Sequence, residues 1–511
     1  MKKISLIFLS AILCGLSYAK IVMPNIFGDN MLLQRDSSVK IWGRADANAN
    51  VDVAFAGQKK SVKANSNGWW SLKLDKMSAN KNPQEMMIYE NGKLGKTIKN
   101  ILVGEVWIAG GQSNMQWNLK RSTDADKFIN QPENQLIRYF SQNTYMLSTV
   151  PKFTCVNGNW TSASPKTRGD YSAVAYLFAE KLQKDLDVPV GIVFGALGAS
   201  KMIAWIPEDK VDLLEYTKNV HQDFITRNAK YDYNLSKAKW EKEVEAWKKR
   251  CEKLKAENKP LPRRPRIPSQ ISFLPPFATP CYLYNAVIAP VAPYSARGVL
   301  WYQGESDSKE ESLKYFNEQF ELVVKSWREK FENPNLAFIQ VQLASFSIGD
   351  RDWGLTRWKQ YLATKTISNC YMANIIDCGE EKDIHPKDKT TVANRVENIA
   401  LNEIYGKKDV RAYGPIISSV KYNDNRAVVS FNTFGLKLKT VGEPRGFQIK
   451  VDDNWKDVQP VLNKDVVELV SNGGKKIQGV RYLWKNWARP DVWLFNEDGL
   501  PALSFINEKN N

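Results

Sequence analysis

Between residues 101 and 410 the chain alternates short apolar runs with helical patterns. The runs are Val103–Ile108, Val188–Phe194, Gly298–Tyr302, Leu336–Val341 and Tyr371–Ile376. Unbroken apolar runs of this length suit strands of a sheet that is covered on both faces. Between them, Phe316, Phe320, Val323, Trp327 and Phe331 mark one face of a helix, and Val392, Val396, Ile399 and Leu401 support another. Alternating β and α elements predict a three-layer α/β domain with a parallel sheet over residues 101–410.

The flanks read differently. Residues 20–100 carry alternating strand patterns such as Val51-Asp52-Val53-Ala54-Phe55 and a turn at Asn67-Gly68, which predict a small N-terminal β module. Strand patterns return over 411–511, at Ala427–Phe431 and Val492–Phe495, and predict a C-terminal β module. A charged stretch over 208–270 interrupts the α/β region. Its stripe of Trp240, Val244, Trp247, Cys251 and Leu254 predicts a helix packed on something, as a scaffold or a cap, before Pro260–Pro268 breaks it. Residues 1–19 have two lysines, an apolar run and Ser17-Tyr18-Ala19, the pattern of an export signal; Cys14 raises a lipid anchor as the lesser alternative. The expected location is therefore outside the cytoplasm, most simply the periplasm, with no membrane-spanning helix.

With 72 Lys and Arg against 55 Asp and Glu, the formal charge is +17. The lysines are dispersed and no nucleic-acid motif is present, so the charge points at most to an anionic substrate. The cysteines beyond residue 20, at 155, 251, 281, 370 and 378, are odd in number and have no metal-ligand spacing with histidine. They read as buried structural thiols, and no metal or cofactor is expected.

In an open parallel sheet, ligands bind beyond the carboxyl ends of the strands. Four polar segments are expected there: Gly110-Gly111-Gln112-Ser113-Asn114-Met115, Gly195–Ser200, Gln303-Gly304-Glu305-Ser306-Asp307 and Asp383-Ile384-His385-Pro386. A serine nucleophile needs a base, and the chain holds only two histidines. His221 lies in the charged insertion and reads as a solvated helix residue. His385 follows the last strand, which makes it the candidate base. Ser113 follows a strand through two glycines, where a tight turn brings backbone N–H groups close.

Gly104-Glu105-Val106-Trp107 running into Gly111–Gln116, Trp301–Ser306 and Asp383–Pro386 resemble, in this order, the blocks of the sialate O-acetylesterase family of SGNH hydrolases. The similarity extends to Met31–Arg35, Trp42-Gly43, Leu283–Asn285 and Gly499–Ala502. It implies a three-layer αβα, flavodoxin-like SGNH domain and a serine esterase that removes acetyl groups from a sugar. By that resemblance Ser113 attacks the acetyl carbonyl and His385 carries the proton. The oxyanion is held by the backbone N–H of Ser113, an N–H at Gly198 and the Gln303 side chain. The family's second glycine and its acidic residue are replaced here by Ala199 and Ile203, which loosens the inference about the sugar. The orienting acid stays open between Asp383, Glu305 and a backbone carbonyl.

Gln112, Asn114, Trp205, Trp301 and Glu305 are candidate substrate contacts, with Trp117 and Tyr302 as further aromatic surfaces. Arg357 is the candidate partner for a sialic acid carboxylate. Acetylated xylan or another plant glycan is the alternative substrate. A non-catalytic glycan-binding protein and a glycosidase using Glu305 and Asp307 are the readings from other classes.

Overall fold

The computed structural model of the protein describes residues 21–509. The expected export signal, with Cys14, lies outside them. The central strand is β1 (Lys93–Gly111), and it is followed by β2 (Asn134–Ser141), β3 (Asn159–Ala163), β4 (Val190–Ala196), β5 (Gly298–Tyr302), β6 (Ala337–Val341) and β7 (Cys370–Ala373). Their spatial order is β7-β6-β5-β1-β4-β2-β3. All neighbours are parallel except β2 and β3. The protein is thus mixed α/β with a parallel sheet.

Side chains alternate across that sheet and so build two cores. Val106, Ile108, Val299, Trp301 and Phe338 enter one, with helices α2 (Phe316–Lys330) and α3 (Trp353–Thr366) on that face. Trp107, Ala109, Leu300, Tyr302, Ile339 and Val341 enter the other, covered by α1 (Ala173–Leu186) and α4 (Lys389–Ile399). The period of two in each strand explains the unbroken apolar runs, because neither set of side chains faces water.

The boundary expected near residue 100 falls inside β1. That strand first pairs with Leu32–Gln34 and Asn80–Glu90, and only then with β4 and β5. The 19-residue strand is therefore shared by the N-terminal β elements and the parallel sheet. C-terminal strands between Ile416 and Glu508 form separate small sheets with their own core. In the insertion, helices Glu215–Asn228 and Tyr233–Ala256 are present. The Trp240 and Trp247 indoles donate to Pro265 O and Pro262 O, so the stripe packs on the proline segment that follows it. His221 is buried in this insertion, 3.4 Å from Asp212, and is not the solvated residue expected. The five cysteines are buried and unpaired, and no helix among the described residues is long and apolar enough to cross a membrane.

One buried carboxylate ties the N-terminal elements to β1. Glu105 is fully buried and accepts from Arg35 Nε at 2.5 Å, Gln34 Nε2 at 3.0 Å and Arg297 Nε at 2.9 Å. Burial alone would raise its pKa. The hydrogen bond and charge of Arg297, with Arg35 and Gln34, outweigh that and hold the carboxyl below its ordinary value of 4.5. Its contribution is present above the unfolded value and is lost as pH falls through the lowered folded one. Glu105→Gln should therefore cost about 3 kcal/mol at neutral pH, since it strands two arginines. In urea titrations the gap between wild type and variant should close on acidification below pH 4.5; a gap that is the same at both pH values would refute the assignment.

Candidate active site

β1 ends in a turn that only glycine permits. Gly111 has φ +121°, and a Cβ there would lie 2.2 Å from Tyr302 O. The chain then enters a single helical turn, Ser113–Gln116, with Met115 N and Gln116 N both donating to Gln112 O. This presents Ser113 at the carboxyl edge of the sheet. The loop after β7 and before α4 brings His385 to it, with His385 Nε2 2.9 Å from Ser113 Oγ. Asp383 Oδ1 lies 3.3 Å from His385 Nδ1 and accepts the His385 backbone N–H at 2.9 Å. Trp117 stacks on the imidazole at 5.1 Å between centroids. Burial pushes the His385 pKa below its ordinary 6.5; Asp383 opposes this and the charge of Lys389 adds to it. The imidazole is therefore neutral at neutral pH and able to accept a proton.

Beneath this pair lies a buried polar floor. Asn114 Nδ2 donates to Glu305 Oε1 at 2.7 Å and to Ile384 O at 3.1 Å, while its Oδ1 accepts from Lys389 Nζ at 2.6 Å. One side chain thus joins the serine turn, the loop after β5, the histidine loop and α4. Burial pushes Lys389 down to about 7 although Glu305 opposes it. Burial also raises Glu305, against the hydrogen bond from Asn114 and the charges of Lys389 and Arg351. Arg351 donates to Glu305 O, and its own carbonyl accepts from Asn486 in the C-terminal part of the chain.

Several candidate residues have other work. Gln303 is buried and both its N–H groups are used, by Ser200 O at 3.2 Å and by Asp307 Oδ2. It holds a loop and has no donor left for an oxyanion. Gln112 and Asn114 are buried, and Gln112 Oε1 accepts from Gly304 N and Ser306 N. Neither is a substrate contact. Trp205, Trp301 and Tyr302 are core residues; Trp301 packs against Trp327 and Trp205. Glu305 and Asp307 are buried and hydrogen-bonded, so they do not form an open pair of carboxylates for glycosidase chemistry. Arg357 is 0% exposed and donates to Leu483 O and Lys485 O, which excludes it as a carboxylate reader and makes it a clamp on the C-terminal elements.

Gly198 does approach the serine: a Cβ on it would lie 3.4 Å from Ser113 Cβ. Its N–H donates to Gln116 Oε1 at 2.8 Å. No cluster of His, Cys, Asp and Glu among the described residues is able to hold a metal. A cavity of about 500 Å³ lies away from Ser113, along the edge strand β7 and beside Tyr413 and Phe434.

Lys389, Gln116 and Arg351 escaped the sequence reading. Lys389 had one signal. Asp388 caps α4 by accepting from Thr391 N, and a lysine in the first turn opposes the helix dipole, where an acid is preferred. Such a lysine needs a specific partner to sit there buried.

A hydroxyl on a neutral imidazole backed by a carboxylate, at the carboxyl edge of a parallel sheet, defines a class of serine-dependent ester hydrolases. The family model described as "carbohydrate esterase, sialic acid-specific acetylesterase" matches residues 273–396, which include His385 and Lys389. The chain is 27% identical over 428 residues to the sialate O-acetylesterase of Rattus norvegicus, covering 76% of this chain and 75% of that one. It is 24% identical over 504 residues to the sialate O-acetylesterase of Homo sapiens, covering 90% and 86%. A carbohydrate acetylesterase from Xanthomonas citri superimposes with a TM-score of 0.79 at 27% identity, over 96% of this chain and 100% of that chain. The chain is similar over most of its length to sialate O-acetylesterases and is a carboxylic ester hydrolase.

Because Arg357 is sealed in the interior, Arg357→Met should leave KM for an O-acetylated sugar within about twofold of wild type. Its effect should instead be on unfolding by urea. A KM that rises tenfold without any change in stability would restore a binding role.

Proposed function

We propose that the protein is an SGNH-type serine esterase with a three-layer αβα domain between β modules, and that it removes O-acetyl groups from sialic acid. The Ser113–His385 contact at 2.9 Å carries this reading. His385 Nε2 takes the Ser113 proton as Oγ attacks the acetyl carbonyl. Collapse of the tetrahedral intermediate breaks the bond between the acetyl carbon and the sugar oxygen, leaving acetyl-Ser113, and His385 gives the proton to that departing oxygen, which becomes the sugar hydroxyl. Water, deprotonated by the same imidazole, then releases acetate from acetyl-Ser113. Asp383, on the Nδ1 side, holds the tautomer and stabilises the imidazolium; its 3.3 Å approach favours it over Glu305, whose Oε1 is committed to Asn114. The developing oxyanion is held by the N–H groups of Ser113 and Gly198, with the carbonyl replacing Gln116 Oε1 at Gly198. Export to the periplasm, on the pattern of residues 1–19, completes the proposal.

Ser113→Ala should lose at least about 10⁴ in turnover and all labelling by a fluorophosphonate probe. Acetate release measured on O-acetylated sialic acid and on acetylated xylan separates the two sugars; release from xylan alone would replace sialic acid as the substrate.

The pH profile of kcat/KM for 4-nitrophenyl acetate gives a second test. Its acid limb should lie below 6.5, set by His385. Lys389→Met removes a positive charge, raises the pKa of His385 and moves the limb to higher pH. Asp383→Asn removes a negative charge and moves it to lower pH while lowering kcat. Limbs that stay fixed in both variants would show that His385 is not the titrating base.

A further inference from the structure

The segment that follows the nucleophile turn is fastened on all sides. Leu119 N donates to Tyr171 O at 2.9 Å, Thr123 N donates to Lys387 O at 3.0 Å, and Lys120 pairs with Asp170 at 2.6 Å. Thr123 thereby ties the segment to the loop carrying His385. Within it, Trp117 lies against the imidazole with 23° between the planes. The Arg121 guanidinium carbon sits 3.7 Å from the Trp117 ring centroid, in contact with the indole face. Those two contacts place the guanidinium within about 9 Å of the base.

Arg121 is exposed, and among the described residues its side chain makes no hydrogen bond or ion pair, although its neighbour Lys120 is paired. The guanidinium rests over the indole and gives no N–H to a protein acceptor among the described residues, so its N–H fork is free, and that fork matches a carboxylate in two parallel hydrogen bonds. Holding the side chain on the indole beforehand reduces the entropy lost on binding. The charges that act most on the imidazole are those of Asp383, Lys389 and Arg121 itself. Lys389 is buried and bonded to Asn114, which leaves Arg121 as the cation of this group that is open to substrate.

We infer that Arg121 reads the carboxylate of the substrate, so that the preferred ester is carried by a sugar acid whose carboxylate lies about one sugar unit from the acetyl group. This deepens the deacetylase reading of Ser113 and His385 and rests on it. Sialic acids and uronic acids share the required chemistry. A neutral sugar leaves the fork unpaired and gains nothing from it.

The test compares kcat/KM for an O-acetylated sialic acid and its methyl ester, and for an O-acetylated uronic acid and its methyl ester. Wild-type, Arg121→Gln and Arg121→Lys enzymes are each measured. Wild type should favour at least one free acid over its ester by about 10- to 100-fold, mainly through KM. Arg121→Gln should collapse that ratio to near one, and Arg121→Lys should retain part of it. The pair that shows the ratio identifies the source. Equal rates on acid and ester in wild type, or a ratio that survives Arg121→Gln, overturns the inference, as does the absence of acetate release from either acid. Failure of the nucleophile reading is separate: it appears as activity that persists in Ser113→Ala.

Discussion

The strand Lys93–Gly111 hydrogen-bonds to four others, and the site is built at its carboxyl end. Its first half belongs to the N-terminal β elements and its second half is the middle of the parallel sheet. Glu105 sits near the changeover with Gln34, Arg35 and Arg297 on its carboxylate. The sequence similarity at Met31–Arg35 and at Gly104–Trp107 is therefore one structural feature seen twice. These residues hold the strand that delivers Gly111, whose backbone turn in turn delivers Ser113.

Below Ser113 and His385, polar groups do the work that apolar packing does elsewhere. Asn114 spends its amide on three partners from three different segments. A buried polar network of this kind is stable only when its members are satisfied together. The serine turn, the Glu305 loop and the histidine loop are thereby fixed relative to one another without any residue of the floor reaching the substrate. The C-terminal elements take part through Asn486 and Arg351, which grip the Glu305 loop from outside. This gives the flanking elements a physical connection to the site.

Above the floor, the electrostatics favour a neutral base and a charged rim. Burial and Lys389 push the imidazole towards its deprotonated form, while Asp383, 3.3 Å from Nδ1, opposes that shift. Trp117 does two things at once. One contact is with the imidazole, on which it stacks, and another is with the Arg121 guanidinium, 3.7 Å over its ring. A single indole thus couples the position of the His385 imidazole to that of the Arg121 guanidinium.

The sequence by itself determined the mixed α/β class with its parallel sheet and singled out Ser113 and His385, which the structure places 2.9 Å apart. Apolar runs of strand length report two-sided burial directly, and with two histidines in the chain, one of them in the charged insertion, the choice of His385 was nearly forced. Gly110-Gly111 before Ser113 announced a turn that no other residue type tolerates. Tertiary structure alone decided what surrounds the pair. Gln303, Trp205, Trp301, Asn114 and Arg357 looked like contacts because they lie near motifs or carry useful groups, yet each is buried and committed to other partners. Lys389 and Arg121 lie outside every site reading of the sequence, yet one is sealed under the site and the other rests on an indole at its rim. Burial and partner choice depend on residues hundreds of positions away, as Asn114 and Lys389 do, and no local pattern carries that information.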